Sequence, residues 1–159
     1  MRRYGNPADN CYIYASDQWT NQGCGINGAP DSVNGGFNNH NGGVYALEWV
    51  AETEIRSFYF PRASIPADII SKQPNPSSWG NPYSRFEVGE GSDCSSNHFN
   101  AHQIIFDLTF CGDWAGATFS DQCKTSESCE SYVKYNPSYF KEAYWSINYV
   151  NIYDIKISS

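Results

Sequence analysis

One stretch near residue 110 constrains the fold more than any other part of the chain. Residues 103–110, QIIFDLTF, form a nearly continuous run of β-branched and aromatic residues, which is typical of a strand buried on both faces. The run ends at Cys111-Gly112, and Asp113 and Trp114 follow at once. We expect a turn here that presents a carboxylate and an indole to a polar ligand. A core strand followed by a disulfide cysteine and a core tryptophan explains the same pattern equally well.

Alternating residues predict further strands on both sides of this stretch. In Gly43–Val50, residues 45, 47 and 49 share one face, so we expect Trp49 to point to a core and Glu48 to a polar face. Residues 55–60 return as the second strand of a hairpin. We also expect a short strand at residues 85–88 and a long one at residues 144–157, with a bulge near residue 149.

The remaining segments predict turns and loops. Five of the eight prolines fall between residues 61 and 84, and prolines are not tolerated in a central strand, so this segment is expected to be an ordered loop. Residues 128–143 suit short helical turns, with Pro137 at a first helical position. The whole pattern predicts an all-β fold, an antiparallel β-sandwich or jelly roll, as a single domain over residues 1–159 with a loop-rich entry at residues 1–42.

Composition excludes two classes of partner. The formal net charge is −7, whereas nucleic acids and anionic membranes attract a basic face, so neither is expected to bind. No apolar run approaches the ~18 residues of a membrane span. The opening residues MRRYGNPADN lack the apolar core of a signal peptide.

The cysteines indicate disulfides rather than a metal site. The six candidates are Cys11, Cys24, Cys94, Cys111, Cys123 and Cys129. None forms a CxxC pair and no histidine lies at zinc-finger spacing, so we expect no zinc and no other cofactor. Three disulfides are expected, with Cys11–Cys24 favoured as the short local loop and the other pairings left open. Such chemistry points to a secreted protein, and without a signal peptide we expect the natural N-terminus to lie upstream.

Six motifs, in order, resemble a known family. They are GGVYALEW, FPRASIPADI, SSWG, DCSSNHF, IIFDLTFCGDWAG and NPSYFKEAYWSINYV. Together they resemble the C-terminal half of fungal laminarinase-type enzymes of glycoside hydrolase family 16, the endo-β-1,3(4)-glucanases. The resemblance implies a concanavalin-like jelly roll whose concave sheet binds β-glucan. It also implies retaining hydrolysis by two carboxyl groups ~5–5.5 Å apart.

The sequence departs from that family at the catalytic strand. The Glu-x-Asp-x-x-Glu motif that carries both carboxyl groups is absent, so no catalytic residue is assigned. The resemblance places that motif in an N-terminal half upstream of residue 1, which is also a candidate partner. Three interpretations stay open: an enzyme fragment that is inactive alone, a non-catalytic β-glucan-binding module, and a half-domain that pairs with another chain.

The resemblance also suggests which residues contact β-glucan. The candidates are Trp114, Asp113, Asn41, Gly42, Gly43 and Glu48. The first two would lie on a loop at the rim of the cleft, where an indole stacks on sugar CH faces and a carboxylate accepts from hydroxyls. The next three would precede a strand beside the cleft, or would form a hairpin turn. Glu48 would line the concave sheet, or would pair structurally with Arg56 or Arg62.

Overall fold

The computed structural model describes residues 2–3, 6–7, 11–16 and 25–154. Two compact units divide the chain, Met1–Asn100 and Ala101–Ser159, and the single domain expected over residues 1–159 stays a prediction. The strands are β1 Arg2–Arg3, β2 Asn6–Pro7, β3 Gly43–Val50, β4 Glu54–Pro61 and β5 Ser84–Glu87. The helices are α1 Asn34–Asn39, α2 Ala67–Ile70, α3 Gly112–Cys123 and α4 Cys129–Tyr135. Short 3-10 turns cover Arg62–Ser64, Pro76–Ser78, Ser96–His98 and Pro137–Phe140.

The predicted hairpin is the centre of the first unit. Strands β3 and β4 pair antiparallel along their whole length, from Gly43 opposite Pro61 to Val50 opposite Glu54. The turn between them includes Glu52 at φ +65°, in the left-handed region. Strand β5 pairs antiparallel with the other edge of β4. The hairpin and the short strand near residue 85 are therefore confirmed, as is the antiparallel part of the predicted fold class.

The sheet face that carries Glu48 was expected to be exposed but is covered, and the face that carries Trp49 was expected to be the core but is open. Phe58 is only 3% exposed, because the indole of Trp79 packs edge-on against Phe58 and Phe60 with ring centroids 5.2 and 5.4 Å apart. On the other face Leu47 is 67% exposed and Trp49 is 39% exposed. The prediction that Trp49 points to a core is thus wrong: the proline-rich loop covers the face that carries Glu48.

Asp68 organises that proline-rich loop, which is ordered as predicted. Its Oδ2 accepts from the backbone N–H of Asn75 at 2.6 Å and from the indole N–H of Trp79 at 2.7 Å. Partial burial raises the pKa of the Asp68 carboxyl, but the hydrogen bonds from Asn75, Trp79 and the local backbone outweigh burial and leave the pKa below its ordinary value. The charged carboxylate therefore fixes the indole on the sheet.

Helices occur where the sequence predicts loop or turn. Helix α1 lies in the expected loop-rich entry, and its sequence NGGFNN has no apolar periodicity that would identify a helix. Helix α3 begins at Gly112, directly where a turn was expected, and runs for 12 residues. The helical turns near residues 128–143 are confirmed: the Ser128 hydroxyl caps α4 by accepting from the N–H of Ser131.

Two predicted strands of the second unit are not formed. Residues 103–110 belong to no strand, and neither do residues 144–154 of the strand predicted at 144–157, so the bulge expected near residue 149 does not form. Residues 155–157 of that prediction lie outside the described ranges, and Ile105 is 74% exposed. The two segments touch through a hydrogen bond from Trp145 Nε1 to the carbonyl oxygen of Asp107 at 2.9 Å and an edge contact between Trp145 and Phe106. The run at 103–110 was expected to be buried on both faces. It is not, because the neighbouring strands that would cover it are not supplied by the described residues.

The disulfide prediction is partly wrong. Cys111 and Cys129 are bonded and join the start of α3 to the start of α4. Cys11 is also disulfide-bonded, and the expected pairing with Cys24 falls on a residue outside the described ranges. Cys94 and Cys123 carry free thiols, so the third expected bridge is not formed. They belong to different units, in a turn after β5 and at the end of α3.

No helix within the described ranges is long and apolar enough to cross a membrane.

Thiol labelling checks the cysteine assignment. Without reduction, we expect alkylation at Cys94 and Cys123 and none at Cys111 or Cys129, because a disulfide has no thiolate to react. Peptide mapping by mass spectrometry locates each label. Protection of Cys94 or Cys123 in the folded, unreduced protein would contradict the assignment.

Acid titration tests the role of Asp68. Because its folded pKa is lowered, its contribution to the free energy of unfolding is present above the unfolded pKa of about 3.9 and is lost as pH falls through the folded value. We expect Asp68→Asn to cost about 1 kcal/mol at pH 7, since the carboxyl is partly exposed, and to cost almost nothing at pH 2. Urea unfolding of parent and variant at both pH values measures this, and an equal difference at both would contradict it.

Candidate binding site

The chain turns sharply from α1 into β3 at Asn41 and Gly42. Their φ angles are +57° and +84°, in the left-handed region that asparagine and glycine enter most readily. The N–H of Gly42 donates to the carbonyl oxygen of Phe37 at 2.9 Å and so satisfies an end of α1. The candidates at 41–43 therefore form one junction between a helix and a strand, and the alternative of a hairpin turn is wrong.

Arg62 holds this junction against the end of β4. Its Nε donates to the carbonyl oxygen of Asn41, and its backbone N–H donates to that of Gly42, both at 3.0 Å. At Gly43 a Cβ atom would lie 2.5 Å from the carbonyl oxygen of Phe60 and 2.6 Å from the Tyr59 ring. Only glycine therefore fits at the first residue of β3.

An aromatic cluster of Phe37, Tyr45 and Tyr59 lies beside the junction. The rings of Phe37 and Tyr45 stack with centroids 5.9 Å apart, and those of Tyr45 and Tyr59 are 5.1 Å apart. Burial raises the pKa of both tyrosines, although a hydrogen bond with Ser32 opposes the effect at Tyr45. Both phenols therefore stay protonated at neutral pH. Tyr45 is 51% exposed and can meet a ligand, whereas the hydroxyl oxygen of Tyr59 is buried.

Sequence reasoning missed this cluster. Tyr45 and Tyr59 stand directly opposite each other across the hairpin. The alternating pattern of the two strands could therefore have identified this pair. Phe37 carried no such signal, because α1 has no apolar period. The cluster offers stacking surfaces and the hydroxyl of Tyr45, which suit a polyhydroxylated ligand with apolar CH faces.

Glu48 lies on the opposite face of β3 and is paired with Arg56. Arg56 stands directly across the hairpin, and its Nε donates to Glu48 Oε2 at 2.6 Å. The Glu48 side chain is only 12% exposed, so its charge is balanced within the sheet. Of the two arginines proposed as structural partners, the structure selects Arg56; Arg62 binds the junction instead.

The same face carries further carboxylate–guanidinium pairs. Arg56 also contacts Glu54, at 3.4 Å, and Glu54 pairs with Arg85 on β5. Arg85 in turn lies 3.1 Å from Glu87. The contacts alternate in sign from Glu48 through Arg56, Glu54 and Arg85 to Glu87, so each of these carboxylates meets a guanidinium. This arrangement stabilises the sheet rather than supplying an acid or a nucleophile.

Asp113 and Trp114 lie on the first turn of α3 and not on the expected loop. Cys111 precedes the helix at φ +61°, and Asp113 is exposed near the helix N-terminus, where a negative charge is favoured. The Trp114 side chain is outside what the structure describes. These two candidates belong to the second unit, whereas residues 41–43 and Glu48 belong to the first.

No group of three or more His, Cys, Asp and Glu side chains able to hold a metal ion occurs among the residues that the structure describes.

Comparison with known proteins identifies close relatives. Residues 5–153 match the model of the XgeA-like, catalytic GH16 domain. A probable endo-1,3(4)-beta-glucanase of Aspergillus niger is 40% identical over 144 residues, which is 86% of this chain and 19% of that protein. A mutant laminarinase 16A that cyclizes laminariheptaose has a TM-score of 0.69 at 38% identity, covering 86% of this chain and 46% of that one.

A second solved structure matches this chain with similar identity and a similar TM-score. An elongating GH family 16 beta-1,3-glucosyltransferase has a TM-score of 0.65 at 38% identity, over 74% of this chain and 41% of that one. The chain therefore spans less than half of each solved relative and about a fifth of the Aspergillus niger protein.

Glycine substitutions test the tight junction. We expect Gly43→Ala to lower the free energy of unfolding by about 1–3 kcal/mol, because its Cβ would clash with backbone at Phe60. Gly35→Ala is the matched control, since nothing lies within 4 Å of its Cβ in α1, and we expect a gain of about 0.5–1 kcal/mol there. Urea denaturation measures both, and similar effects at the two sites would contradict the close approach at Gly43.

Proposed function

The chain belongs to the XgeA-like catalytic domains of glycoside hydrolase family 16, and from this premise we propose that it forms part of the β-glucan cleft of an endo-1,3(4)-β-glucanase. Such an enzyme hydrolyses the O-glycosidic bonds of the polysaccharide. The match over residues 5–153 is the observation that carries the proposal. The antiparallel sheet β3–β4–β5 is consistent with one layer of a concanavalin-like jelly roll. The Cys111–Cys129 bridge is consistent with secretion into an oxidising compartment.

Six side chains and backbone positions are proposed to contact the glucan: Trp114, Asp113, Asn41, Gly42, Gly43 and Glu48. Beside residues 41–43, the aromatic cluster adds stacking rings and the protonated phenol of Tyr45. Glu48 lies on the sheet face opposite the cluster, and Oε1 is the atom proposed to accept from a sugar hydroxyl there, because both contacts with Arg56 use Oε2. Asp113 supplies a second, exposed carboxylate.

We further propose that this chain does not hydrolyse glucan by itself. Retaining hydrolysis needs one carboxylate to attack the anomeric carbon and a second carboxyl to protonate the leaving oxygen and then deprotonate water. The Glu-x-Asp-x-x-Glu motif that supplies both is not in the sequence. Glu48 and Glu54 are held by guanidinium groups, so neither is offered as a replacement.

A non-catalytic role is the second candidate. A β-glucan-binding module, or a half-domain that pairs with another chain, would keep the binding residues without the catalytic strand. The specific observation in favour of pairing is the exposure of large apolar side chains along residues 103–110 and 145–154.

Equilibrium binding of laminarin tests the proposed site. We expect Trp114→Ala and Tyr45→Ala each to weaken binding about tenfold, which corresponds to about 1.4 kcal/mol for a lost aromatic platform. Tyr135→Ala is the matched control, because this aromatic residue is 68% exposed and lies outside the proposed site. Titration calorimetry measures all three, with dextran as an α-linked comparison. No laminarin binding by the parent, or an equal loss in the control, would overturn the assignment.

A reducing-sugar assay with laminarin and lichenan tests the proposal that this chain does not hydrolyse glucan by itself. We expect no release above a blank, because the nucleophile and the acid are both absent. Turnover that disappears in Glu48→Gln or Glu90→Gln would show that the catalytic groups lie in this chain after all.

A further inference from the structure

The tripeptide Asn-Gly-Gly occurs twice in the first unit, at residues 34–36 and 41–43. The first copy begins α1, and the second forms the junction between α1 and β3. Asn34 and Asn41 have nearly the same φ, +55° and +57°. The two copies therefore share a sequence and the left-handed φ at asparagine, and they differ in what holds the glycine that follows.

An asparagine followed by glycine can react with its own backbone. The backbone nitrogen of the glycine attacks Cγ of the asparagine side chain, a carbon–nitrogen bond forms, and the side-chain nitrogen leaves as ammonia. Water then opens the resulting five-membered imide at either carbonyl, which gives aspartate or isoaspartate. Glycine permits the attack most readily, because it has no Cβ to hinder the approach and its backbone is the least restricted.

The second copy is held against this reaction. The N–H of Gly42 donates to the carbonyl oxygen of Phe37 at 2.9 Å, so the attacking nitrogen is engaged. The N–H of Asn41 donates to the carbonyl oxygen of Asn38 at 2.9 Å, and Arg62 Nε donates to that of Asn41 at 3.0 Å. Gly42 is also buried. Attack at Asn41 therefore requires the junction to open locally, and the rate falls in proportion to the small open fraction.

The first copy lacks these restraints. The N–H of Gly35 makes no backbone hydrogen bond with any described residue, because it lies in the first turn of α1, where the helix itself supplies no acceptor. No side chain and no distant backbone atom lies within 4 Å of the position of a Cβ at Gly35. The nitrogen that would attack Asn34 is therefore unengaged and uncrowded.

We propose that Asn34 is a site of spontaneous deamidation, and that the hydrogen bonds of the junction protect Asn41 from the same reaction. Both products place a negative charge at the start of α1. In isoaspartate the main chain also gains one carbon between residues 34 and 35, inside the turn closed by the hydrogen bond from the N–H of Phe37 to the carbonyl oxygen of Val33. Since Phe37 stacks on Tyr45, this product disturbs the aromatic cluster. Neither product needs a glucan, so the modification is independent of the proposed function.

Peptide mapping of the aged protein tests the proposal. The purified full chain is kept in mildly alkaline buffer, with and without urea, and mass spectrometry follows the exchange of ammonia for water. Chymotryptic cleavage after Phe37 separates the two copies, and fragmentation separates Asn34 from the further pair Asn27-Gly28. In the folded chain we expect product at Asn34 at least about tenfold faster than at Asn41. In urea the two rates should be similar, because the tripeptide is the same.

Three results would overturn the proposal. The first is equal rates at Asn34 and Asn41 in the folded chain. The second is the same difference between them in urea as in buffer, because the cause would then be the flanking sequence. The third is a folded chain in which Asn34 stays intact over the time in which the unfolded chain reacts.

Two substitutions move the rates separately. Gly35→Ala places a methyl group beside the attacking nitrogen, so we expect product at Asn34 to form about tenfold more slowly, with the rate at Asn41 unchanged. Arg62→Ala removes the hydrogen bond to the carbonyl oxygen of Asn41, so we expect Asn41 to react several-fold faster, with the rate at Asn34 unchanged. Arg62→Lys keeps a donor and should keep Asn41 slow. An unchanged rate at Asn34 in Gly35→Ala, or at Asn41 in Arg62→Ala, would contradict the proposal.

Discussion

The register between β3 and β4 determines where every other feature of the first unit lies. Since side chains alternate along a strand, a slip of one residue in β3 would turn Glu48 away from Arg56 and Tyr45 away from Tyr59. Two contacts fix the register at its ends. The close approach of Gly43 to Phe60 leaves no room for a Cβ, and Glu52 in the left-handed region sets the turn at the other end. Between them, Glu48 meets Arg56 directly across the hairpin. The junction at residues 41–43 lies at one end of this pairing, where Arg62 follows β4 and bonds Asn41 and Gly42.

Local patterns predict this part of the fold well. Alternation in Gly43–Val50 and the prolines after residue 60 predict the hairpin and the ordered loop, both of which the structure contains. The direction of burial was not predictable in the same way. Trp49 is the largest apolar side chain of β3, yet the loop that carries Trp79 packs on the opposite face of the sheet. Which face is covered depends on where a distant segment returns, and a strand's own sequence contains no information on that.

In the second unit the sequence predicts strands that the described residues do not form. Residues 103–110 have the composition of a fully buried strand, and their composition predicts the environment they require rather than the one the described residues provide. The turn expected after Cys111 is instead the start of α3, whose sequence GDWAGATFSDQC has only Ala115, Ala117 and Gln122 as strong helix formers, so local propensity did not predict it. The candidate contacts at residues 41–43 came from resemblance, whereas the aromatic cluster beside them needed the structure, because Phe37 reaches it from an unpredicted helix.

The disulfide joins Cys111, whose backbone conformation is unfavourable, to Cys129, whose backbone conformation is helical. Cys111 has φ +61° and ψ −123°, a conformation that residues with a side chain avoid and that costs roughly 1–3 kcal/mol. Cys129 begins an ordinary helix and is buried. The disulfide thus holds Cys111 in a backbone conformation that its side chain disfavours. Part of the free energy by which the disulfide stabilises the fold therefore offsets this local strain. Glycine would adopt that conformation freely, and the helix that follows could then begin at the same place without being tied there.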